Sequence, residues 1–349
     1  MPAAIASIPH KQRLAAHKID YLRAMSDSVD YPFQSEDGRG MSPAHQTLTD
    51  TCIKLTGLAY WQFTNCCTDS LQIAFSIACD IGDTVIIPAY GWRAIMNAPM
   101  FVGLNVVFCD IDETGNVDLD KLEKLIIEHE PSAVLIVHNF GTIVDVRKIS
   151  SVCSSLGVKI IEDAAPSFPI NVTEGYKVGT ASDFVCFSFD FTKSPGCLGA
   201  GGAIATSKQD IAFAISTVCS HTSTGRLVGT KSYLDTTSAA VLNTDMQLVV
   251  ANNYRTKRVE IANIYNKVLP YPKLAGINNI YHRFIIIPDA KEKDSVIAAF
   301  NEQKILAKPV FKANWPLPLA TQFADSAIEL PCHHFIDKDD LLARLAKIV

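Results

Sequence analysis

A chain of 349 residues, 48% hydrophobic and 19% charged, holds enough apolar material for a large core and has room for two domains. Its formal net charge of -5 is spread along the sequence, with no basic block, aromatic–basic interleaving or charged tail. That excludes a nucleic-acid or anionic-membrane binder as the first reading and leaves small-molecule partners. Ten cysteines fall mostly in apolar runs such as Val106-Val107-Phe108-Cys109, and no CxxC pair occurs. Zinc and thioredoxin-type chemistry are therefore set aside, and a reducing, cytoplasmic setting is expected.

In chain order, the first nineteen residues carry Lys11, Arg13 and Lys18 but no acid, and read as an amphipathic first helix in preference to a targeting segment. A β-rich run at 61–64 leads straight into a helix opened by Thr68-Asp69-Ser70-Leu71. Buried strands are expected at 84–87, 105–109, 133–137, 159–162, 184–188 and 202–205, with helices at 94–101, 119–129, 146–155 and 209–219. The apolar region 85–108 is broken by Pro88, Gly91, Arg93 and Pro99, so it is no membrane span. Strands alternating with helices predict a mostly parallel sheet covered on both faces. From residue 246 the pattern changes: one long helix over 246–268, a strand at 282–287, a helix at 294–303, a Pro-rich loop at 309–318 and a last helix from Asp337. The expected organisation is an N-terminal segment with a large domain over 1–245 and a small α+β domain over 246–349.

Open α/β sheets bind ligands outside the carboxyl ends of their strands. The chemistry-bearing residues fall there: 88–92, His138, Asp163, and Ser188 through Lys193. Lys193 sits among apolar residues before a loop holding Gly196, Gly199, Gly201 and Gly202. Partial desolvation there favours a neutral, nucleophilic amine; the plain reading is a solvent-facing lysine. Asp163 either pairs with a cationic heteroaromatic nitrogen or caps a following helix. Thr68 and Asp69, at a helix start, suit a phosphate through free amides and a hydroxyl, though such residues begin most helices. Trp92 either stacks on a ring or joins the core. Cys332-His333-His334 offers adjacent residues that rarely ligate one metal.

The segments that combine are Cys67-Thr68-Asp69-Ser70-Leu71, Gly82-Asp83-Thr84-Val85-Ile86-Ile87-Pro88, Val107-Phe108-Cys109-Asp110-Ile111-Asp112 and Val137-His138-Asn139-Phe140-Gly141. Ile161-Glu162-Asp163-Ala164-Ala165 follows, then Phe187-Ser188-Phe189 with Lys193 and Gly201-Gly202. On these residues, in this order, the chain resembles the DegT/DnrJ/StrS sugar aminotransferases, a branch of the fold-type I pyridoxal-phosphate (PLP) enzymes. The resemblance runs from about residue 45 to the end.

It implies the three-layer α/β/α PLP-dependent transferase fold with a smaller C-terminal α+β domain. It further implies that Lys193 holds PLP covalently and moves the proton, and that Asp163 pairs with the pyridine nitrogen. Thr68, the Asp69 amide and Ser188 would take the cofactor phosphate, and Trp92 would lie against the ring. Asn243, within Leu242-Asn243-Thr244-Asp245-Met246, would reach the phosphate of a neighbouring subunit, which makes a homodimer with shared sites the expected assembly. The implied reaction takes an amino group from glutamate or glutamine to a keto-sugar on a nucleoside diphosphate, 4-keto ahead of 3-keto, for amino-deoxysugar or surface polysaccharide synthesis. Arg93, Arg226, Lys231 and Arg283 are candidate partners for the diphosphate. Four positions depart from the family: Pro166 stands for a usual Gln, Ala200 for Glu, Cys67 for Gly and Asp245 for Arg. The readings set beside transamination are dehydratase-like PLP chemistry, which Lys193 opposes, and a catalytically silent scaffold. A nicotinamide oxidoreductase lacks its GxGxxG spacing.

Overall fold

The computed structural model describes residues 4–6, 10–29, 42–168, 176–220, 228–274 and 280–348. The chain begins with α1 (His10–Val29) and α2 (Pro43–Thr56), followed by β1 (Tyr60–Thr64), α3 (Cys67–Ala78), β2 (Thr84–Pro88), α4 (Ala94–Phe101) and β3 (Asn105–Cys109). Next come α5 (Leu119–His129), β4 (Ala133–Val137), α6 (Arg147–Leu156), β5 (Lys159–Asp163), β6 (Phe184–Ser188), β7 (Gly202–Thr206) and α7 (Gln209–Cys219). The remainder is α8 (Thr236–Ala251), α9 (Tyr254–Val268), β8 (Phe284–Ile286), α10 (Lys293–Glu302), β9 (Lys308–Pro309), α11 (Pro318–Ser326), β10 (Ile328–Leu330) and α12 (Lys338–Leu345).

The first seven strands form one sheet in the order β1-β7-β6-β5-β4-β2-β3. All neighbours are parallel except β7, which runs antiparallel to both β1 and β6. The sheet is mostly parallel, as the alternating pattern predicts. Strand alternation divides its apolar side chains between two clusters. Ile136, Ile160, Val185 and Phe187 face α2, α5, α6 and α8 on one side, with Trp61 stacked 4.9 Å from Phe187. Leu135, Ile161, Phe184 and Cys186 face α3, α4 and α7 on the other. Helices α4 and α6 follow the adjacent strands β2 and β4 but lie on opposite faces, which opens a crevice at the carboxyl ends of those strands.

The smaller sheet, β8-β10-β9, carries its own cluster around Tyr265, Phe284, Phe300, Ile328 and Leu341. It is held against the large sheet by the Asp110 carboxylate, which accepts from the first amides of α11, Leu319 N (3.1 Å) and Ala320 N (2.9 Å). Asn314 N donates to the Ala89 carbonyl (2.8 Å), bringing the loop after β9 over the one after β2.

Two expectations fail here. The single helix over 246–268 is broken: Asn253 adopts a left-handed backbone (φ 51°), so α8 ends at Ala251 and α9 starts anew. Apolar periodicity runs through both pieces and hides the stop, although asparagine is one of the few residues that takes this conformation cheaply. The Pro-rich loop at 309–318 stops where Pro318 starts α11, a helix the sequence reading left out. Proline at a first helical turn costs nothing, because that amide has no intrahelical partner.

Candidate active site

Three strand ends and one helix start build the site. Gly202 on β7 lies opposite Ser188 on β6 and Thr64 on β1. A Cβ on Gly202 would stand 2.3 Å from the Cys66 carbonyl carbon, so only glycine lets the first turn of α3 settle onto the sheet at this row. That turn presents the amides of Cys67, Thr68 and Asp69, which have no helical acceptor. The Cys66 thiol lies against those of Thr68 and Asp69. The Asp69 carboxylate is turned aside, accepting from Ser232 Oγ (2.8 Å) and Asn65 Nδ2 (3.2 Å). Thr68 is half-buried, and Ser188 is buried on the same face of the sheet.

Asp163 ends β5 on the α3 side, and Lys193 follows β6. Asp163 is buried, and its Oδ1 accepts from Ala165 N at 2.9 Å and lies 4.0 Å from the Cys67 thiol. Its Oδ2 takes no hydrogen bond among the described residues. Burial pushes this carboxyl above the usual range, against the opposing pull of the Ala165 amide and the Lys193 charge. Lys193 is half-buried as a residue, with its amine at the enclosed end. Burial pulls that amine below the usual lysine range; Arg283 adds to the effect, and Asp163 opposes it. No helix follows Asp163; the bond to Ala165 N closes a turn.

The next residue inward makes the opposite arrangement. Glu162 points to the other face, wholly buried, and accepts from His138 Nε2 (2.8 Å), Tyr176 Oη (2.7 Å) and Gly179 N (2.9 Å). Val144 N donates to His138 Nδ1 (3.1 Å), which fixes the imidazole proton on Nε2. His138 therefore ties down the loop after β4 and does not line the site.

The other sequence candidates scatter. Trp92 is 59% exposed, with its ring edge-on to Phe311 at 4.9 Å, so it stands outside the core on the loop after β2. Asn243 lies on α8 and accepts from Thr51 Oγ1 of α2 (2.8 Å). Arg93 and Lys231 are exposed, and Arg226 lies outside the described residues. Arg283 comes close enough to act on the Lys193 charge, and its guanidinium also reaches Glu329 (3.6 Å). Pro166 is half-buried beside Gly141, and Ala200 is exposed on the loop after Lys193. His333 donates to the Ala6 carbonyl (2.9 Å) and His334 stacks on Tyr254 at 3.3 Å, so the 332–334 run is a packing feature. No cluster of three or more metal-ligating side chains occurs among the described residues.

The sequence reading missed Arg13 and Tyr21. Both reach Asp245, whose carboxylate bonds the loop that carries Lys193. The available signal was an acid inside the apolar stretch of α8, which needs a cation or donors when buried. Cys67 was noticed only as a departure, yet its thiol faces Asp163. A groove of about 820 Å³ between α3, α4 and residues 228–230 is lined by Phe75, Ile81, Phe101 and Val228, and not by Lys193 or Asp163.

These residues fit PLP on the structure's own terms. The buried carboxylate with a free oxygen suits a pyridinium, the enclosed amine suits a carbonyl carbon, and the first-turn amides of α3, which have no helical acceptor, suit a phosphate together with Ser188. Comparison with known proteins agrees. The chain is 29% identical over 341 residues to the UDP-2-acetamido-2-deoxy-3-oxo-D-glucuronate aminotransferase of Pseudomonas aeruginosa, covering 90% of this chain and 93% of that one. It is 25% identical over 317 residues to the UDP-N-acetyl-3-dehydro-alpha-D-glucosamine 3-aminotransferase of Acidithiobacillus ferrooxidans, covering 84% and 85%. Among solved structures, DesV of S. venezuelae superposes with a TM-score of 0.86 at 21% identity, over 99% of this chain and 98% of that one, which speaks for the fold. Residues 40–343 match the DegT/DnrJ/EryC1/StrS aminotransferase family, and this chain belongs to that PLP-dependent family.

Proposed function

We propose that this aminotransferase moves an amino group from glutamate or glutamine to a keto-sugar carried on a nucleoside diphosphate, with a 3-oxo sugar on UDP as the first candidate. The sequence resemblance ranked 4-keto sugars ahead; the two relatives above, named for 3-oxo and 3-dehydro sugars, reverse that order. The observation that carries the reading is the buried Asp163 carboxylate with one oxygen unclaimed, gathered with the enclosed Lys193 amine at the carboxyl ends of β5 and β6.

When bound, PLP supplies the electron sink that stabilises negative charge at the carbon bearing the amino nitrogen. Asp163 would keep the ring nitrogen cationic. Lys193 would hold the cofactor and then, as a neutral amine, take the proton from the donor carbon and return it at the sugar carbon. Thr68, the Asp69 amide and Ser188 would hold the phosphate, and Trp92 would close one side of the ring. Asn243 and Asp245 lie two positions apart on α8, nearly opposite around the helix. Asp245 faces its own lysine loop, so a phosphate contact by Asn243 calls for a second copy of the chain, and we propose a homodimer with shared sites. The separate cluster around Tyr265 and Phe300 supports 246–349 as a small domain beside 1–245, with α8 running across the boundary. All ten cysteines are free, which supports a cytoplasmic setting, and no described helix is long and apolar enough to cross a membrane.

The test is an absorbance spectrum with PLP, before and after glutamate or glutamine, for wild type and Lys193→Ala. A band of the lysine-held cofactor that the donor shifts to the aminated form, absent from the variant, is expected. A band that ignores both donors favours dehydratase-like chemistry. No band in a folded wild-type protein leaves the silent scaffold.

A further inference from the structure

The loop between β6 and β7 carries Lys193, and its backbone is held from outside by one buried ion pair. Arg13 on α1 and Asp245 on α8 are 1% and 0% exposed, with Arg13 Nη1 3.2 Å from Asp245 Oδ2. Arg13 Nη1 also donates to the Lys193 carbonyl (2.5 Å). Nη2 donates to the carbonyls of Phe191 (3.0 Å) and Cys197 (3.3 Å). Asp245 completes the hold, its Oδ2 accepting from Gly196 N (2.9 Å) and its Oδ1 from Tyr21 Oη (2.5 Å). Backbone groups of residues 191, 193, 196 and 197 thus end on this one pair. The fit is close: a Cβ on Gly196 would lie 3.2 Å from Arg13 Nη1 and 2.9 Å from the Lys193 carbonyl oxygen.

We propose that Arg13 is the positioning residue of Lys193 and that Asp245 is its counter-ion. The proposal rests on the reading of Lys193 as the cofactor lysine. A planar guanidinium has five donors in a fixed fork, so it can bond three carbonyls and a carboxylate at once; an ammonium projects three donors from a single point. The fork therefore sets the position of the backbone at 193, and with it where the amine reaches relative to Asp163. Removing either charge alone would leave the other buried and unpaired. The departure at position 245 is explained in the same terms, since the acid there has its counter-charge delivered by α1.

Three variants test this: Arg13→Lys, Asp245→Asn and the exchanged pair Arg13→Asp with Asp245→Arg. Hydrogen exchange over residues 189–201 of the cofactor-free full chain reads the hold directly. It is expected to speed up at least about tenfold in both single variants, while β6 stays protected. With PLP bound, kcat for amino transfer is expected to fall by about 100-fold with donor KM little changed, the cost of a misplaced reactive group. The pH midpoint of the cofactor's absorbance change is expected to move with it. The exchanged pair, which returns a guanidinium to the same space, is expected to recover about tenfold of the loss. Wild-type exchange, kcat and pH midpoint in Arg13→Lys would overturn the proposal. So would a loss that tracks a lowered Tm in all three variants and is not recovered by the exchanged pair, which would reduce the pair to maintaining the fold. If the wild-type protein forms no lysine-held band, the reading of Lys193 fails, and hydrogen exchange still decides whether Arg13 holds the loop.

Discussion

Glu162 and Asp163 are consecutive on β5, both buried, and face opposite sides of the sheet. Glu162 is met by three donors from two segments, and the loops after β4 and before β6 are anchored on it. Asp163 receives one amide and keeps an oxygen free, at a site where burial disfavours its charge. A buried carboxylate that is fully bonded maintains the structure. One left short of partners stores an unfavourable interaction that a cationic ligand relieves. The difference between the two faces therefore separates framework from chemistry more sharply than burial or residue type does.

The largest expected effect removes the chemistry and leaves the framework. Lys193→Ala should lower amino transfer by about 10⁴-fold in steady-state assays while the thermal midpoint stays close to wild type. On the framework side, Glu162→Ala strands the donors of His138, Tyr176 and Gly179. It should cost about 3–5 kcal/mol in urea unfolding, with the remaining folded protein still forming the cofactor band. If Glu162→Ala proves as stable as wild type, the contrast between the two carboxylates collapses.

Acid sharpens the same contrast through a histidine that is buried neutral. His333 is pulled down to about 4 from 6.5 by burial, so the unfolded chain takes up its proton first. The stability it contributes is complete above pH 6.5 and is lost as pH falls toward 4. That amounts to about 3 kcal/mol between those limits, read as the difference in unfolding free energy between wild type and His333→Gln. Asp163 should show the reverse sign. With its pKa raised in the cofactor-free fold, stability is lost as pH rises above 3.8, so Asp163→Asn should have a higher Tm than wild type near neutrality without PLP. With PLP the order should invert, and turnover should be lower by on the order of 10²-fold. The smallest effect is expected at Trp92. With Trp92 against the ring as proposed, Trp92→Ala should weaken cofactor binding by about tenfold or less in a spectroscopic titration, with Tm unchanged.

Much of this was legible along the chain. The strands from β2 to β7 and the helices α4, α5 and α7 lie at or within a residue of their expected bounds, because buried strands and amphipathic helices write their period into the sequence. The placement of Thr68, Asp163, Ser188 and Lys193 at strand ends or a helix start was legible for the same reason. The break at Asn253 and the start of α11 at Pro318 were not: a stop inside a periodic run is marked by one residue, and periodicity outvotes it. Arg13 was invisible as a partner of the lysine loop, since 180 residues separate it from Lys193.

The sequence by itself determined the alternation of strands and helices, the family and the cofactor, and it singled out Lys193 as the lysine proposed to hold it. These are properties of short segments, whose periodicity and order can be read without knowing what lies across the fold. Only the tertiary structure decided that Glu162 is spent on the framework while Asp163 keeps one oxygen free, that His138 serves a loop, and that Arg13 and Asp245 meet at the backbone of residue 193. Each of those outcomes depends on which donors arrive from distant segments to satisfy a buried charge, and desolvation makes that pairing decisive.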